Sequence, residues 1–130
     1  MVTVLFVCVH NSGRSQMAEA IFNRLSGGRH KGISAGSNPA EAVNPVVVEA
    51  LREIGIDISG RRPRKLTAEI AEEADITVTM GCGEGVCPIV PGEIRDWPLE
   101  DPTGKPLEAV RRIRDEIESR VKALLAELGP

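Results

Sequence analysis

The sequence predicts an α/β protein with a four-stranded parallel sheet and helices on both faces. Short apolar runs rich in β-branched residues alternate with segments whose apolar residues recur every three or four positions. Strands separated by helical connections are typical of parallel sheets with right-handed crossovers. Because 130 residues suit one compact domain, we assign residues 1–130 to a single unit.

The first half of the chain contains two predicted strands and two predicted helices. The uncharged run from Val2 to Val7 is rich in β-branched residues, as buried strands are. The segment from Ser15 to Leu25 has apolar residues at helical spacing, and Lys31 to Gly36 follows as a short strand. Asn44 then predicts the N-cap of a second helix that has Pro45 at its first position.

The second half repeats this alternation. Thr67 begins a predicted third helix, and the run from Ile76 to Met80 is the clearest strand signal after the first. The run from Glu93 to Trp97 predicts a fourth strand, and Pro106 to Leu128 predicts a long amphipathic helix. Sites in open parallel sheets lie at the carboxyl ends of the strands. We therefore expect the segments after strands one, three and four to meet at one edge.

The segment between the first strand and the first helix carries the clearest chemical signal. The N-H groups at the start of a helix have no intrahelical partner, so such a turn holds a tetrahedral anion. Arg14 adds a planar fork for two of the oxygens. The same field favours a thiolate, so Cys8 is predicted to be a nucleophile at neutral pH. The predicted oxyanion-binding residues are Val9, His10, Asn11, Ser12, Gly13, Arg14 and Ser15.

Narrower predictions concern three residues of this segment and His30. Gly13 is expected to allow a positive φ or a close backbone approach. Ser15 is expected to begin the helix and to give its hydroxyl to the thiolate. We assign no role to the imidazole of His10, because a cradle uses its backbone N-H, and we place His30 at the surface.

The amino-acid composition limits the classes of partner that the chain is expected to bind. The formal charge of -3 and the presence of two Phe, one Trp and no Tyr favour neither nucleic acid nor a membrane surface as a partner. No apolar stretch approaches the length that spans a bilayer, and the start lacks the basic flank of a signal peptide. We therefore expect a cytoplasmic protein without cofactors, in which a local site captures an anionic substrate.

Cys82 and Cys87 lie in a glycine-rich segment after the third strand, where four intervening residues allow the two thiols to meet. The functional interpretation is a redox pair that faces Cys8. Three alternatives stay open: a zinc site that also uses Cys8 and His10, a structural disulfide, and simple burial. We expect no metal.

Asp101 follows the fourth strand in the run Asp-Pro-Thr-Gly. An ordinary turn explains this run. It is equally explained by a general acid that protonates the oxygen leaving phosphorus or arsenic.

Together these residues resemble the arsenate reductases built on the low-molecular-weight tyrosine phosphatase fold. The match covers nearly the whole chain. The cradle is common to reductases and phosphatases, whereas the two later cysteines and Thr103, where the phosphatases place Tyr, favour the reductases. The segments that carry the resemblance are Val7-Cys8, Arg14 to Ala20, Ser34-Ala35-Gly36, Val43-Asn44-Pro45, Ile56 to Ser59, Val78-Thr79-Met80, Cys87-Pro88 and Asp101 to Lys105.

The resemblance implies a mechanism in which Cys8 attacks bound arsenate and Asp101 acts as general acid. Cys82 then attacks the Cys8 adduct and releases arsenite. Cys87 attacks the resulting disulfide, and thioredoxin reduces the final Cys82 to Cys87 disulfide. In relatives with this relay the spacer between the last two cysteines is usually longer, and other relatives use a small-molecule thiol, so the donor is open.

The resemblance also implies a potassium site in some family members, through residues that match Asn11, Glu19 and Ser34 and an acid near position 64. Here that stretch is Arg61-Arg62-Pro63-Arg64-Lys65. Because this charge repels a cation, we predict that potassium does not bind.

Two other functions compete with arsenate reduction. One is a phosphomonoester hydrolase that uses Cys8, Arg14 and Asp101, with water resolving a cysteinyl-phosphate. The other is an oxyanion- or redox-sensing module whose glycine-rich loop changes shape on oxidation.

Overall fold

The computed structural model describes residues 1–80 and 92–129. Every predicted strand and helix is present, with ends that differ from the prediction by two residues at most. The elements are β1 Thr3–Cys8, α1 Arg14–Ser26, β2 Lys31–Gly36, α2 Pro45–Arg52, α3 Ala68–Glu73, β3 Ile76–Thr79, β4 Glu93–Asp96 and α4 Leu107–Leu128.

The four strands form one sheet in the order β2-β1-β3-β4. Each neighbouring pair is parallel, with Cys8 opposite Gly36 and Val7 opposite Thr79 in the register of β1. β1 is an inner strand. β2 lies on one side of it, and β3 followed by β4 lies on the other side. The end of β1 is therefore a point where strand order reverses, which is where open α/β sheets place their sites. The predicted fold class is confirmed.

Side chains of β1 alternate between the two faces of the sheet. Val4, Phe6 and Cys8 belong to the larger apolar core, which they share with α1, α2 and α4. Leu5 and Val7 lie on the opposite face, in a smaller core that they share with residues of β2. Helix α3 packs against this smaller core. Both faces of β1 are thus covered, so the strand that leads into the predicted cradle is held from two sides.

One prediction about the surface is wrong. His30 is buried, because its ring joins segments from opposite ends of the chain. Its Nδ1 accepts the N-H of Val2 at 3.0 Å, so its Nε2 carries the proton and donates to the carbonyl of Gly129 at 2.8 Å.

Two further observations concern membrane-spanning helices and the later cysteines. Among the residues described, no helix is both long enough and apolar enough to cross a bilayer. Cys82 and Cys87 lie outside the described residues, since these exclude 81–91.

Candidate active site

The loop that joins β1 to α1 has its carbonyl groups turned outwards. The carbonyl oxygens of residues 8, 9, 10 and 12 accept hydrogen bonds from the N-H groups of residues 37, 38, 40 and 44, with N···O distances of 2.8–3.3 Å. The carbonyl of Asn11 accepts from Gln16 Nε2 at 3.1 Å. In a planar trans peptide the C=O and the next N-H point in opposite directions. The N-H groups of residues 9–13 therefore point to the inner side of the loop, as an oxyanion cradle requires.

Cys8 lies at the floor of this loop. It is 2% exposed, and its Sγ lies 2.8 Å from Ser15 Oγ. Ser15 Oγ already accepts a hydrogen bond from Asn11 Nδ2 at 2.7 Å. The hydroxyl proton of Ser15 is therefore available to the sulfur, which is the partner that a thiolate needs.

Two predictions about the loop require correction. The helix begins at Arg14 with Gly13 as N-cap, so Ser15 does not cap it and uses its hydroxyl on Cys8 instead. The φ of Gly13 is -138°, and the positive φ of 50° falls on Asn11. The close approach predicted for Gly13 is confirmed, because a Cβ there would lie 2.6 Å from Pro102 Cγ. This packing places the loop against the segment that carries Asp101.

Arg14 bridges these two segments. It is 6% exposed, and one guanidinium nitrogen donates to the carbonyl of Leu99 at 3.2 Å. The other terminal nitrogen lies 3.7 Å from Asp101 Oδ2. The guanidinium thus joins the start of α1 to the chain after β4, so Arg14 and Asp101 meet at the sheet edge where Cys8 ends β1.

Asp101 is both a turn residue and a neighbour of the cradle. Its Oδ1 accepts the N-H of Thr103 at 3.0 Å and the hydroxyl of Thr103 at 2.8 Å. Partial burial raises the pKa of Asp101, but the Thr103 hydrogen bonds and the charges of Arg14 and His10 outweigh it, so the pKa lies below its ordinary value. The carboxyl is therefore ionised at neutral pH in the absence of a bound anion.

Behind the loop, Asn11 is the centre of a buried hydrogen-bond network. Its Nδ2 donates to Ser15 Oγ at 2.7 Å and to Ser34 Oγ at 3.1 Å. Its Oδ1 accepts from Gln16 Nε2 at 3.1 Å and from the N-H of Arg64 at 2.8 Å. All hydrogen-bonding capacity of the amide is used, so the strained left-handed backbone of Asn11 is fixed from several directions.

The residues matched to a potassium site do not fit a free cation here. Ser34 Oγ donates to Glu19 Oε1 at 3.0 Å, and the other carboxylate oxygen of Glu19 forms an ion pair with Arg61. Arg61, Arg62 and Arg64 line the adjacent pocket of about 230 Å³ together with Gln16, Glu19 and Ser34. The positive charge beside Glu19 is thus supplied by the chain itself, so this basic stretch attracts Glu19 in addition to repelling a free cation.

A buried cysteine beneath five inward N-H groups, with an arginine and a carboxylate at the rim, defines an enzyme that performs nucleophilic chemistry on an oxyanion. The family model for low molecular weight phosphotyrosine protein phosphatases matches residues 3–130. The chain belongs to this family.

Two curated relatives match almost end to end. The arsenate reductase of Brevibacillus brevis is 40% identical over 130 residues, covering 98% of this chain and 96% of its own. The glutaredoxin arsenate reductase of Synechocystis sp. is 36% identical over 132 residues, covering 99% of this chain and 100% of its own. The predicted resemblance to arsenate reductases is confirmed.

Solved structures from both branches of the family share the fold. The thioredoxin-dependent arsenate reductase of Corynebacterium glutamicum has a TM-score of 0.78 and 38% identity. The match covers 95% of this chain, which spans only 59% of that longer one. A low molecular weight protein tyrosine phosphatase from T. tengcongensis has a TM-score of 0.88 and 32% identity, with coverage of 98% and 99%.

Proposed function

We propose that the protein reduces arsenate to arsenite in the cytoplasm through a relay of thiolates that begins at Cys8. The observation that carries this proposal is the 2.8 Å contact between Cys8 Sγ and Ser15 Oγ beneath the inward N-H groups. This arrangement holds a tetrahedral oxyanion against a sulfur nucleophile. The full-length similarity to arsenate reductases supports arsenate as the oxyanion.

In the first step the Cys8 thiolate attacks arsenic, a sulfur-arsenic bond forms, and one arsenate oxygen leaves as water. The N-H groups of residues 9–13 and the Arg14 guanidinium bind the remaining oxygens. Ser15 stabilises the thiolate before attack by donating its hydroxyl proton to the sulfur. Arg14 exchanges its 3.7 Å contact with Asp101 for the substrate, because a bidentate oxyanion is the stronger partner.

Asp101 supplies the proton to the leaving oxygen. Its pKa is low when the cradle is empty, but an anion in the cradle occupies Arg14 and adds negative charge beside the carboxylate. Both changes raise the pKa of Asp101 and favour its protonated form. Arsenate is itself partly protonated at neutral pH, so the substrate brings the proton that Asp101 then returns.

The relay continues with Cys82 and Cys87. The Cys82 thiolate attacks Cys8 sulfur, a disulfide forms, and the electron pair of the sulfur-arsenic bond goes to arsenic, which leaves as arsenite. The Cys87 thiolate attacks Cys82 sulfur and releases the Cys8 thiolate. A thioredoxin dithiol then reduces the Cys82 to Cys87 disulfide and is itself oxidised.

Thioredoxin is the proposed donor because the relay ends in a protein disulfide, and a solved relative is described as thioredoxin-dependent. Glutaredoxin is the competing donor, since another relative is described by that name. Turnover with each donor system separately distinguishes them.

The relay is tested by arsenite formation in Cys8→Ser, Cys82→Ser and Cys87→Ser. Each variant is expected to lose multiple turnover with thioredoxin, thioredoxin reductase and NADPH. Cys87→Ser is expected to retain a single turnover, because its first two thiols are intact. A Cys87→Ser variant that continues to turn over with thioredoxin contradicts the relay.

The role of Asp101 is tested with Asp101→Asn and the matched control Glu100→Gln, an exposed neighbour that pairs with Lys105. Asn still accepts the Thr103 hydrogen bonds, so the turn is preserved while the acid is lost. We expect a fall of roughly 10²- to 10⁴-fold in the single-turnover rate for Asp101→Asn and little change for the control. Equal rates in both variants would assign Asp101 to the turn alone.

A phosphomonoester hydrolase is the second candidate, because the family model and one solved neighbour carry phosphatase names. In this reaction Cys8 attacks phosphorus, Asp101 protonates the leaving alcohol, and water cleaves the cysteinyl-phosphate. Hydrolysis of p-nitrophenyl phosphate that survives in Cys82→Ser and Cys87→Ser, without arsenite formation by the parent, would favour this function.

A further inference from the structure

An unbroken series of polar contacts connects the nucleophile to a charged group on the far side of the loop. Cys8 contacts Ser15, and Ser15 accepts from Asn11. Asn11 donates to Ser34, and Ser34 donates to Glu19. Glu19 pairs with Arg61. The three residues in the middle, Asn11, Ser15 and Ser34, are each at most 2% exposed, so water does not compete for these bonds.

The carboxylate of Glu19, paired with Arg61, fixes the direction of the hydrogen bond that Ser34 donates. A carboxylate only accepts, so the Ser34 hydroxyl must donate to it. Ser34 Oγ then serves as acceptor for Asn11 Nδ2, whose second N-H is directed to Ser15. Because Ser15 Oγ is an acceptor on that side, its only proton is directed to Cys8.

The segment that carries Arg61 holds the same network at two more points. The N-H of Arg64 donates to Asn11 Oδ1 at 2.8 Å, and Arg64 Nε donates to the carbonyl of Ser34 at 3.3 Å. These bonds fix the amide of Asn11 so that its Nδ2 faces both serines. The side chain of Glu19 is 13% exposed, so its negative charge is costly without a partner.

Charged side chains lie near both ends of the series, Arg61 and Cys8. Burial lowers the pKa of Arg61, and the positive charge of Arg64 nearby lowers it further. Arg62 lines the same pocket, and within residues 1–80 and 92–129 it has no ion pair. At the cradle, where the series ends on Cys8, Arg14 and His10 lie close enough to Asp101 to lower its pKa.

We propose that Arg61 is a positioning residue for Cys8, acting as a built-in cation that neutralises Glu19 and keeps the Ser34-Asn11-Ser15 series directed at the sulfur. The inference goes beyond the proposed function, because it concerns the state of Cys8 and does not depend on the oxyanion. It also explains why these residues do not fit a separate potassium ion.

Loss of Arg61 acts on Cys8 in one direction whatever Glu19 does. If Glu19 stays ionised, its uncompensated negative charge disfavours a thiolate nearby. If Glu19 takes a proton, its acid group can donate to Ser34, so the Ser34 hydroxyl loses its single fixed direction and the support behind Asn11 and Ser15 is weakened. Both outcomes make the thiolate harder to form.

The experiment measures the rate of iodoacetamide alkylation of Cys8 against pH in a Cys82→Ser/Cys87→Ser background, where Cys8 is the remaining cysteine. Arg61→Met keeps much of the apolar stem and removes the charge. We expect the midpoint of the profile to rise by about half to one pH unit. Arg62→Met removes the same charge one residue away and is expected to leave the midpoint unchanged.

Two further variants separate a positioning role from a general charge effect. Arg61→Lys keeps a cation and is expected to restore most of the midpoint. Arg61→Met/Glu19→Gln removes both charges while Gln still accepts from Ser34, so its midpoint is expected to return to that of the parent. If Arg61→Met does not fold, this double variant and Arg61→Lys decide the question.

The proposal is overturned by an unchanged midpoint in Arg61→Met, by an equal shift in Arg62→Met, or by failure of the double variant to recover. Because the readout is alkylation, these results stand apart from the question of arsenate reduction. A protein that reduces no arsenate but shows the predicted shifts would retain this inference and lose the proposed function.

Discussion

Gly36→Ala is predicted to deform the cradle from behind. Gly36 ends β2 opposite Cys8. A Cβ at this position would lie 2.6 Å from the carbonyl oxygen of Val9, 2.9 Å from the backbone nitrogen of Asn11 and 3.0 Å from Asn11 Cβ. The nearest two contacts are backbone atoms of the cradle, so no flexible side chain can move aside.

The size of the effect follows from these distances. Ordinary van der Waals contact begins at 3.4 Å, so the 2.6 Å contact must open by 0.8 Å, the difference between the two values. Gly36 cannot retreat freely, because its N-H donates to Arg64 and its carbonyl accepts from Leu66. Overpacking of this kind costs about 1 to 3 kcal/mol in the free energy of unfolding. A displacement near 1 Å in a positioned catalytic group costs about 10²-fold in rate.

The assay pairs urea unfolding with the single-turnover rate of arsenite formation, measured where both proteins are folded. Gly60→Ala is the matched control, since a Cβ at Gly60 meets nothing within 4 Å. We expect the control to retain both stability and rate. Unchanged stability and rate in Gly36→Ala would show that the backbone of β2 does not shape the cradle.

Three more predictions follow from contacts away from the cradle. His30→Ala removes both hydrogen bonds that join Val2 to Gly129, so urea titration should show a loss of about 2 kcal/mol in the free energy of unfolding; an unchanged midpoint contradicts this role. Hydrogen bonds from Arg111 and Arg114 lower the pKa of Glu53 from 4.5 to about 2. The stability this group contributes is present above pH 4.5 and is lost as the pH falls towards 2, so Glu53→Gln should flatten acid unfolding over that range. Thermal melting in potassium and sodium buffers should be the same, and a potassium-specific rise would show that Arg61 does not exclude the ion.

The elements of the fold are predictable because their signals are local. The uncharged, β-branched run of β1 reflects burial of the strand, and the three-and-four spacing along α4 reflects burial of one helix face. Both patterns are visible in neighbouring residues of the sequence. The Asn44 and Pro45 start of α2 is also local, and the structure confirms it with Asn44 Oδ1 accepting from the N-H of Val46 at 2.9 Å. Such patterns fix the element order and thereby the edge where the site lies.

The errors share a different cause. His30 is buried by contacts with residues 28 and 99 positions away along the chain, which no local pattern records. The positive φ falls on Asn11 because four hydrogen bonds hold its amide there. The ion pair of Arg61 with Glu19 likewise spans two segments, and the cluster of positive charges in residues 61–65 was the only signal in the sequence that could have suggested it.

The proposed chemistry begins at Cys8 and passes through an internal relay of thiols. The direct measurement counts free thiols in the reduced protein before and after one equivalent of arsenate, without an external reductant, beside Cys82→Ser. We expect the parent to lose two of its three thiols and to release one equivalent of arsenite, whereas the variant does neither. No thiol loss and no arsenite in the parent would contradict the relay and leave the cradle to phosphoryl transfer.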